Sequence, residues 1–311
     1  MRDVAQAAGV STAVVSLSYN HPARVATPTR ERVLLVAASI GYPGPDPTAR
    51  ALRTGSAKRI GVMAPDGLGT LLLDQGALLV LRGLGRSLDR AGLSLTLSPD
   101  LDGPFDIRVG IRFQPLPRSD GSVVSIDPPV VLAESVSPDY TLGLRDLTSH
   151  IAERGHQALA IVTWPAGRER LDGLLGAWGD RGPVTVLEAR DATYGDGELA
   201  ARSLLAGVKS LTMVVALCDP LARGIVDTLG WAGLRVPEDI AVASVDDLPG
   251  TDLAGLTSVF VPYESLGERA GTVILSRVGG GGPAPWAASA LPTTLTIRSS
   301  TAGAAIRRVN A

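Results

Sequence analysis

Cysteine, histidine and aromatic residues are scarce in these 311 residues: one Cys, three His and 4% aromatics. The lone Cys218 excludes an internal disulfide and any multi-thiolate metal site, and His21, His150 and His156 lie too far apart for a local metal motif. No metal and no cofactor is expected. Long apolar runs are missing as well. No stretch of about eighteen uncharged apolar residues occurs, and no charged n-region followed by an apolar h-region opens the chain. Neither a membrane span nor a secretory signal is indicated, so the chain is expected in the cytoplasm. Catalytic signatures are absent too. With no G-x-S-x-G elbow, no P-loop and no histidine beside a nucleophile motif, an enzyme is not expected.

What is present is a chain long enough for two or three domains, 45% hydrophobic and only 19% charged. Its net charge of -2 hides an asymmetry. Arg2, Arg24, Arg30, Arg32, Arg50, Arg53, Lys58 and Arg59 face only Asp3, Glu31 and Asp46 in residues 1 to 59, an excess of +5 that leaves -7 for the remainder. A small basic module therefore precedes a larger acidic body. Such an excess is either a solvated surface or an attraction to phosphates, and charge alone does not decide between them.

Local patterns are more informative. RDVAQAA puts Val4, Ala5 and Ala8 on one helical face, and Gly9 permits the left-handed turn that ends it. Ser11 is a natural N-cap for a second helix, STAVVSLSYN. Two short helices joined at Gly9-Val10 form the helix-turn-helix pattern, whose second helix is presented to the major groove. A third helix is capped by Thr27, carries Pro28 in its first turn and repeats Val33, Ala37 and Ile40 before Gly41-Tyr42. Proline and glycine then open a linker at 43, within which Thr48 can cap a short ARALR helix.

From Ile60 the texture changes to alternating strands and helices. IGVMAP, LSLTL, VVLAES, ALAIVTW, PVTVLEA, TMVVALCD and IAVASVDD read as strands, separated by amphipathic helices such as YTLGLRDLTSHIAERG, RERLDGLLGAW and YESLGERAGTVILSRV. Buried parallel strands between helices imply doubly wound sheets that bind ligands outside their carboxyl ends, and the length favours two such subdomains with a cleft between them. Residues 98 to 130 read as shortened and irregular, GGGGPAP as a loop and LPTTLTIRSS as a late strand.

DVAQAAGVSTAVVS, VATPTRERVLLVAASIGY, ARALRTG before IGV, and VPEDIAVASVDD closely resemble the LacI/GalR (lac repressor-like) family of bacterial transcription regulators. ERGHQALAIV, RERLDG, ALCDPLARG and LPTTLTIRSST agree in order, so the resemblance runs over nearly the whole chain. It implies an α plus α/β fold: a three-helix DNA-binding head at 1-45, a linker and hinge helix at 46-58, and a periplasmic-binding-protein-like core at 59-311. In that core an N-subdomain would take about 59-154 and 261-290, and a C-subdomain about 155-260 and 291-300. The partners implied are double-stranded operator DNA, a small-molecule effector such as a sugar, and a second copy of the chain in a homodimer or tetramer.

The resemblance also implies roles. Thr12, Ala13 and Ser16 would face the groove, with short side chains that let the backbone approach base edges. Ser11, Ser18, Asn20, Thr29 and Arg30 would contact phosphates, with Tyr42 near the backbone, setting register without reading sequence. Leu52, flanked by Arg50 and Arg53, would wedge into the minor groove and kink the duplex. Leu17 stands where relatives commonly carry a guanine-reading Arg, the segment from Gly41 to Leu52 runs one residue longer than usual, and the phosphate-contacting N-terminal lead is missing or lies upstream of Met1. The operator is therefore expected to differ from the family's common one. In the core, Asp139, Arg170 and Asp246 would bind an effector's hydroxyls, with Trp164 as a stacking wall and Cys218 and Asp219 beside them; Asp66, Asp74 and Gln75 are further cleft candidates. Cys218 replaces an Asn common in sugar binders and Val245 an aromatic, which weakens the case for a sugar. The alternatives are a DNA-binding regulator with no effector or with a protein co-regulator, and a solute-binding protein.

Overall fold

The computed structural model describes residues 2-20, 24-40, 59-64, 67-99, 104-112, 123-128, 135-208, 211-278 and 290-302. They fall into two compact units, Met1–Arg59 with Leu88–Ser94, and Ile60–Ser87 with Leu95–Ala311.

In the first unit α1 (Arg2–Ala8), α2 (Thr12–Asn20) and α3 (Thr27–Ser39) enclose a core of Val4, Ala5, Ala8, Val15, Val33 and Ala37. Gly9, at φ +64, makes the turn between α1 and α2, a conformation that costs glycine little. The Ser11 hydroxyl accepts from Val14 N–H at 3.3 Å and caps α2 as its sequence predicts. The third helix is less regular than expected. Thr27 lies inside it rather than before it, and Ile40, expected on its apolar face, lies beyond the helix end at Ser39 and is exposed. The ARALR helix and Thr48 lie outside the described residues.

The second unit holds two sheets. β1 (Ile60–Met63), β2 (Leu95–Ser98), β3 (Ile107–Ile111), β4 (Val123–Ile126) and β5 (Ser135–Val136) pair in parallel in the order β2-β1-β3-β4-β5. The stretch read as irregular supplies β3 and β4, the middle of this sheet. All five β3 residues are buried, but Arg108 and Gly110 interrupt its apolar run, and Pro- and Asp-rich flanks hide so short a strand. Of the expected strand VVLAES only Ser135 is described, and it opens β5.

After β6 (Pro138–Asp139) the second sheet takes β7 (Leu159–Thr163), β8 (Val184–Glu188), β9 (Met213–Ala216), β10 (Ala241–Asp246), β11 (Thr257–Phe260) and, past β12 (Leu291–Pro292), β13 (Thr294–Thr296). Its order is β13-β11-β10-β9-β7-β8, parallel except for β13. The single late strand expected from LPTTLTIRSS is thus divided: β12 pairs with β6 in a two-stranded ribbon, β13 closes the second sheet, and Ser299–Ala302 is helical. The GGGGPAP tract lies outside the described residues.

Helices α4 (Leu68–Leu73), α5 (Gln75–Asp89), α6 (Thr141–Glu153), α7 (Arg168–Trp178), α8 (Tyr194–Gly207), α9 (Asp219–Trp231) and α10 (Tyr263–Val278) connect the strands. Among the described residues no helix is long and apolar enough to cross a membrane. Thr193 caps α8, which starts five residues before the expected LAARSLLAGV. Glycine sets how closely α8 and α9 approach. A Cβ on Gly224 would overlap the Tyr194 carbonyl oxygen, and one on Gly197 that of Leu221. Gly224→Ala should therefore cost about 1–3 kcal/mol in urea denaturation with an unchanged slope, whereas Gly230→Ala on the same helix, where an added Cβ meets nothing within 4 Å, should be neutral or stabilising.

Candidate nucleic-acid face and ligand cavity

Helix α2 has two unlike faces. Val15 is fully buried, while Thr12 and Ala13 are exposed and Ser16 and Leu17 half-buried. Because residues four apart share a helical face, Thr12 with Ser16 and Ala13 with Leu17 form one continuous surface opposite the core. Ser11 is exposed at its start, and Thr29 and Arg30 are half-buried in the first turn of α3. Ser18 corrects the sequence reading. It is buried, and its hydroxyl donates to the Val14 carbonyl at 2.8 Å, so it does not reach outward to a phosphate from this conformation. Asn20 ends α2, its side chain lies outside the description, and Tyr42, Arg50, Leu52 and Arg53 lie outside the described residues.

In the second unit the carboxyl ends of β3, β4 and β10 bring charged groups together. Arg112 follows β3, Asp127 follows β4 and Asp246 ends β10, with φ of 57°, 50° and 123°. Three non-glycine residues in this sparsely populated region, gathered at one place, mark where tertiary contacts override backbone preference. Arg170, on α7, is buried and fully engaged. Its Nε donates to Tyr140 Oη at 3.0 Å, Nη1 to Asp246 Oδ1 and the Leu217 carbonyl at 2.7 Å each, and Nη2 to Tyr263 Oη at 2.8 Å. Arg112 donates from Nη1 to both Asp74 oxygens at 2.9 and 3.0 Å and from Nη2 to Tyr263 Oη at 3.1 Å, with Nε 3.4 Å from Asp127 Oδ2. The Tyr263 hydroxyl accepts from both guanidinium groups and donates to Asp246 Oδ1 at 2.5 Å. Burial pushes the Tyr263 and Tyr140 phenols upward, which keeps both protonated, Tyr263 as the donor to Asp246.

Beside this network lies a cavity of about 170 Å³, walled by Trp164, Tyr140 and Pro128 and edged by Asp74, Asp127, Glu169 and Asp191. The Arg170 guanidinium lies over the Trp164 ring at 5.5 Å and the Tyr140 ring at 5.2 Å. Burial raises the carboxyls of Asp127 and Glu169 above their ordinary range, the former against the pull of Arg112. A larger cavity of about 560 Å³ opens between β6, α6 and α7, lined largely by small groups such as Gly173, Gly176 and Ala177. The smaller one carries the convergent charged groups that orient a ligand, and is the better candidate.

The sequence candidates separate accordingly. Trp164, Arg170 and Asp74 line the smaller cavity, and Asp246 lies behind Arg170. Asp139 lines the larger cavity and accepts from Thr141 N–H at 2.9 Å, capping α6. Cys218 is buried in the core of the second sheet and lines neither cavity; burial pushes its thiol up. Asp219 is buried and holds a loop, accepting from Leu248 N–H at 2.6 Å, Thr251 Oγ1 at 2.5 Å and Ser258 Oγ at 3.2 Å. Gln75 is exposed at the start of α5, and Asp66 lies outside the described residues. Sequence reasoning missed Arg112, Asp127, Tyr140 and Tyr263 as site residues. Only the position of Tyr140 beside Asp139, and of Tyr263 at the start of a helix after a strand, offered any signal.

Asp219 gives a measurable pH dependence. Burial, and then the nearby Asp246, push its carboxyl from 3.8 up to about 6. The folded state thus binds the proton more tightly than the unfolded state, so stability from this group is present at low pH and declines as pH rises from about 4 to about 6. Asp219→Asn should remove that decline. Denaturation at pH 4 and pH 7 should show the variant gaining about 2 kcal/mol on the wild type at the higher pH, and a constant gap would contradict this assignment.

Comparison with known proteins agrees with this architecture. Residues 1–44 match "Bacterial regulatory proteins, lacI family" and residues 148–301 match "Periplasmic binding protein-like domain". An HTH-type transcriptional regulator of Mycolicibacterium smegmatis is 28% identical over 327 aligned positions, covering 88% of this chain and 89% of the relative. Among solved structures, the transcriptional regulator CelR-cellobiose complex is 25% identical with a TM-score of 0.67, covering 96% of this chain and 98% of its own. The lac repressor dimer bound to operator and an anti-inducer shares the fold, with a TM-score of 0.66 at 22% identity over 96% of this chain and 98% of its own. With a lacI-type helical head at its start and a binding-protein-like core behind it, the chain is similar over most of its length to transcriptional regulators of the LacI family.

Proposed function

We propose that this protein is a transcriptional repressor that binds a palindromic operator as a dimer and whose affinity changes when a small polar ligand occupies the core cavity. The observation that carries the reading is α2: a face on which Thr12 and Ala13 are exposed and Ser16 and Leu17 half-buried, backed by Val15 in the three-helix core. A helix held in this way can enter the major groove without unfolding its support. The relatives add to it, since one solved structure is a regulator holding cellobiose and another a repressor dimer on its operator.

On this reading residues 1-45 are the DNA-binding head, 46-58 a linker and hinge, and 59-311 a core of two subdomains that binds effector and partner subunit. Ser11, Asn20, Thr29, Arg30 and Tyr42 hold phosphates, and Arg50, Leu52 and Arg53 enter the minor groove. Trp164, Arg170 and Asp246 serve the ligand, the protein works in the cytoplasm, and it catalyses no reaction. A second reading, regulation without a small-molecule effector, is favoured by one observation: all three nitrogens of the Arg170 guanidinium already donate within the chain, in four hydrogen bonds.

Selection from random duplexes at moderate salt tests the proposal. A two-fold symmetric sequence should be enriched, and Leu17→Arg should shift one symmetric pair of positions toward guanine, because an Arg there offers a fork to O6 and N7. Absence of any palindrome over nonspecific DNA would overturn the proposal, and an unchanged preference would remove Leu17 from the reading face.

A further inference from the structure

The charged groups around the smaller cavity are not equally available. Both guanidinium groups are largely engaged: Arg170 makes four hydrogen bonds, to Tyr140, Leu217, Asp246 and Tyr263, and Arg112 is held by Asp74, Tyr263 and Asp127. The carboxylates of Asp74, Asp127, Glu169 and Asp191 outnumber them on the wall, with a fifth, the buried Asp246, behind Arg170. Asp74 and Asp127 are tied to Arg112, which leaves Glu169, half-buried, and Asp191, exposed, as the acceptors facing an incoming group. A phosphate entering here would meet four carboxylates and could gain a guanidinium fork only by breaking a buried pair, which strands a charge. A protonated amine meets the opposite situation, acceptors in front and the Trp164 wall alongside. The volume, about 170 Å³, is below the roughly 300–1,000 Å³ of drug-sized pockets.

Resting on the ligand-cavity reading above, we infer that this cavity takes a small hydroxylated ligand carrying a protonated amine, held by Glu169 and Asp191, and rejects phosphorylated ligands. The burial that raises the Glu169 carboxyl is relieved when a cation sits against it, so binding and ionisation of this group support each other.

Thermal shift of the full chain against matched series on two skeletons tests this: glucosamine, glucose and glucose 6-phosphate; serinol, glycerol and glycerol 3-phosphate. The amine of at least one skeleton should raise Tm above its neutral counterpart, the phosphates should leave Tm unchanged, and Glu169→Gln should weaken amine binding about tenfold by removing one charge-assisted partner. A neutral or phosphorylated member that stabilises as strongly as its amine overturns the ligand class and leaves the ligand-responsive regulator standing. Silence across both series, with operator binding intact, contradicts the inference and the cavity reading together and favours the effector-free regulator.

Discussion

A guanidinium taken out of water must find a partner for each of its N–H groups, and this fold buries one completely and a second in large part between its two sheets. The hydroxyl of Tyr263 makes this tolerable. It accepts from Arg112, whose backbone continues the first sheet, and from Arg170, on a helix of the second, and it donates a hydrogen bond to Asp246 at the end of β10. Tyr263 itself opens α10, which packs against β4 and β5. One oxygen therefore ties the two sheets together at the place where a ligand would sit. Any change in the spacing of the sheets must break or re-form those bonds, which makes the rearrangement a discrete one.

The same requirement explains the character of the cavity. Sugar recognition by a guanidinium fork needs a free pair of donors, and here most are committed internally. What remains exposed to a ligand is carboxylate and aromatic surface. Asp219, by contrast, looks like a ligand residue in sequence because it follows a strand, yet its two oxygens are committed to the 248–251 loop and Ser258.

The head was legible because its signals are local. A positive-φ glycine, a serine cap and three apolar faces fix three short helices with no help from distant residues. The alternation of strands and helices from Leu159 to Val278 was legible for the same reason, and RERLDGLLGAW and YESLGERAGTVILSRV coincide with their helices. The middle of the first sheet was not. β3 carries Arg108 and Gly110 inside a fully buried strand, so its pattern breaks where its burial is greatest, and only pairing with β1 and β4 defines it. Arg112 and Asp127 were lost with it, since a residue at the end of an unrecognised strand has no readable place. Arg170 and Asp246 were found from motifs, but the phenols between them were not, because a tyrosine in sequence does not announce which of two arginines it will bridge.

The central claim is that the Tyr263 hydroxyl joins the two halves of the core as a single network with Asp246. A double-mutant cycle of Tyr263→Phe and Asp246→Asn, read by urea denaturation, tests it most directly. The account predicts single costs of about 2–4 kcal/mol and a coupling energy above about 1 kcal/mol, because the second loss falls on a network already broken. Costs that simply add would contradict it.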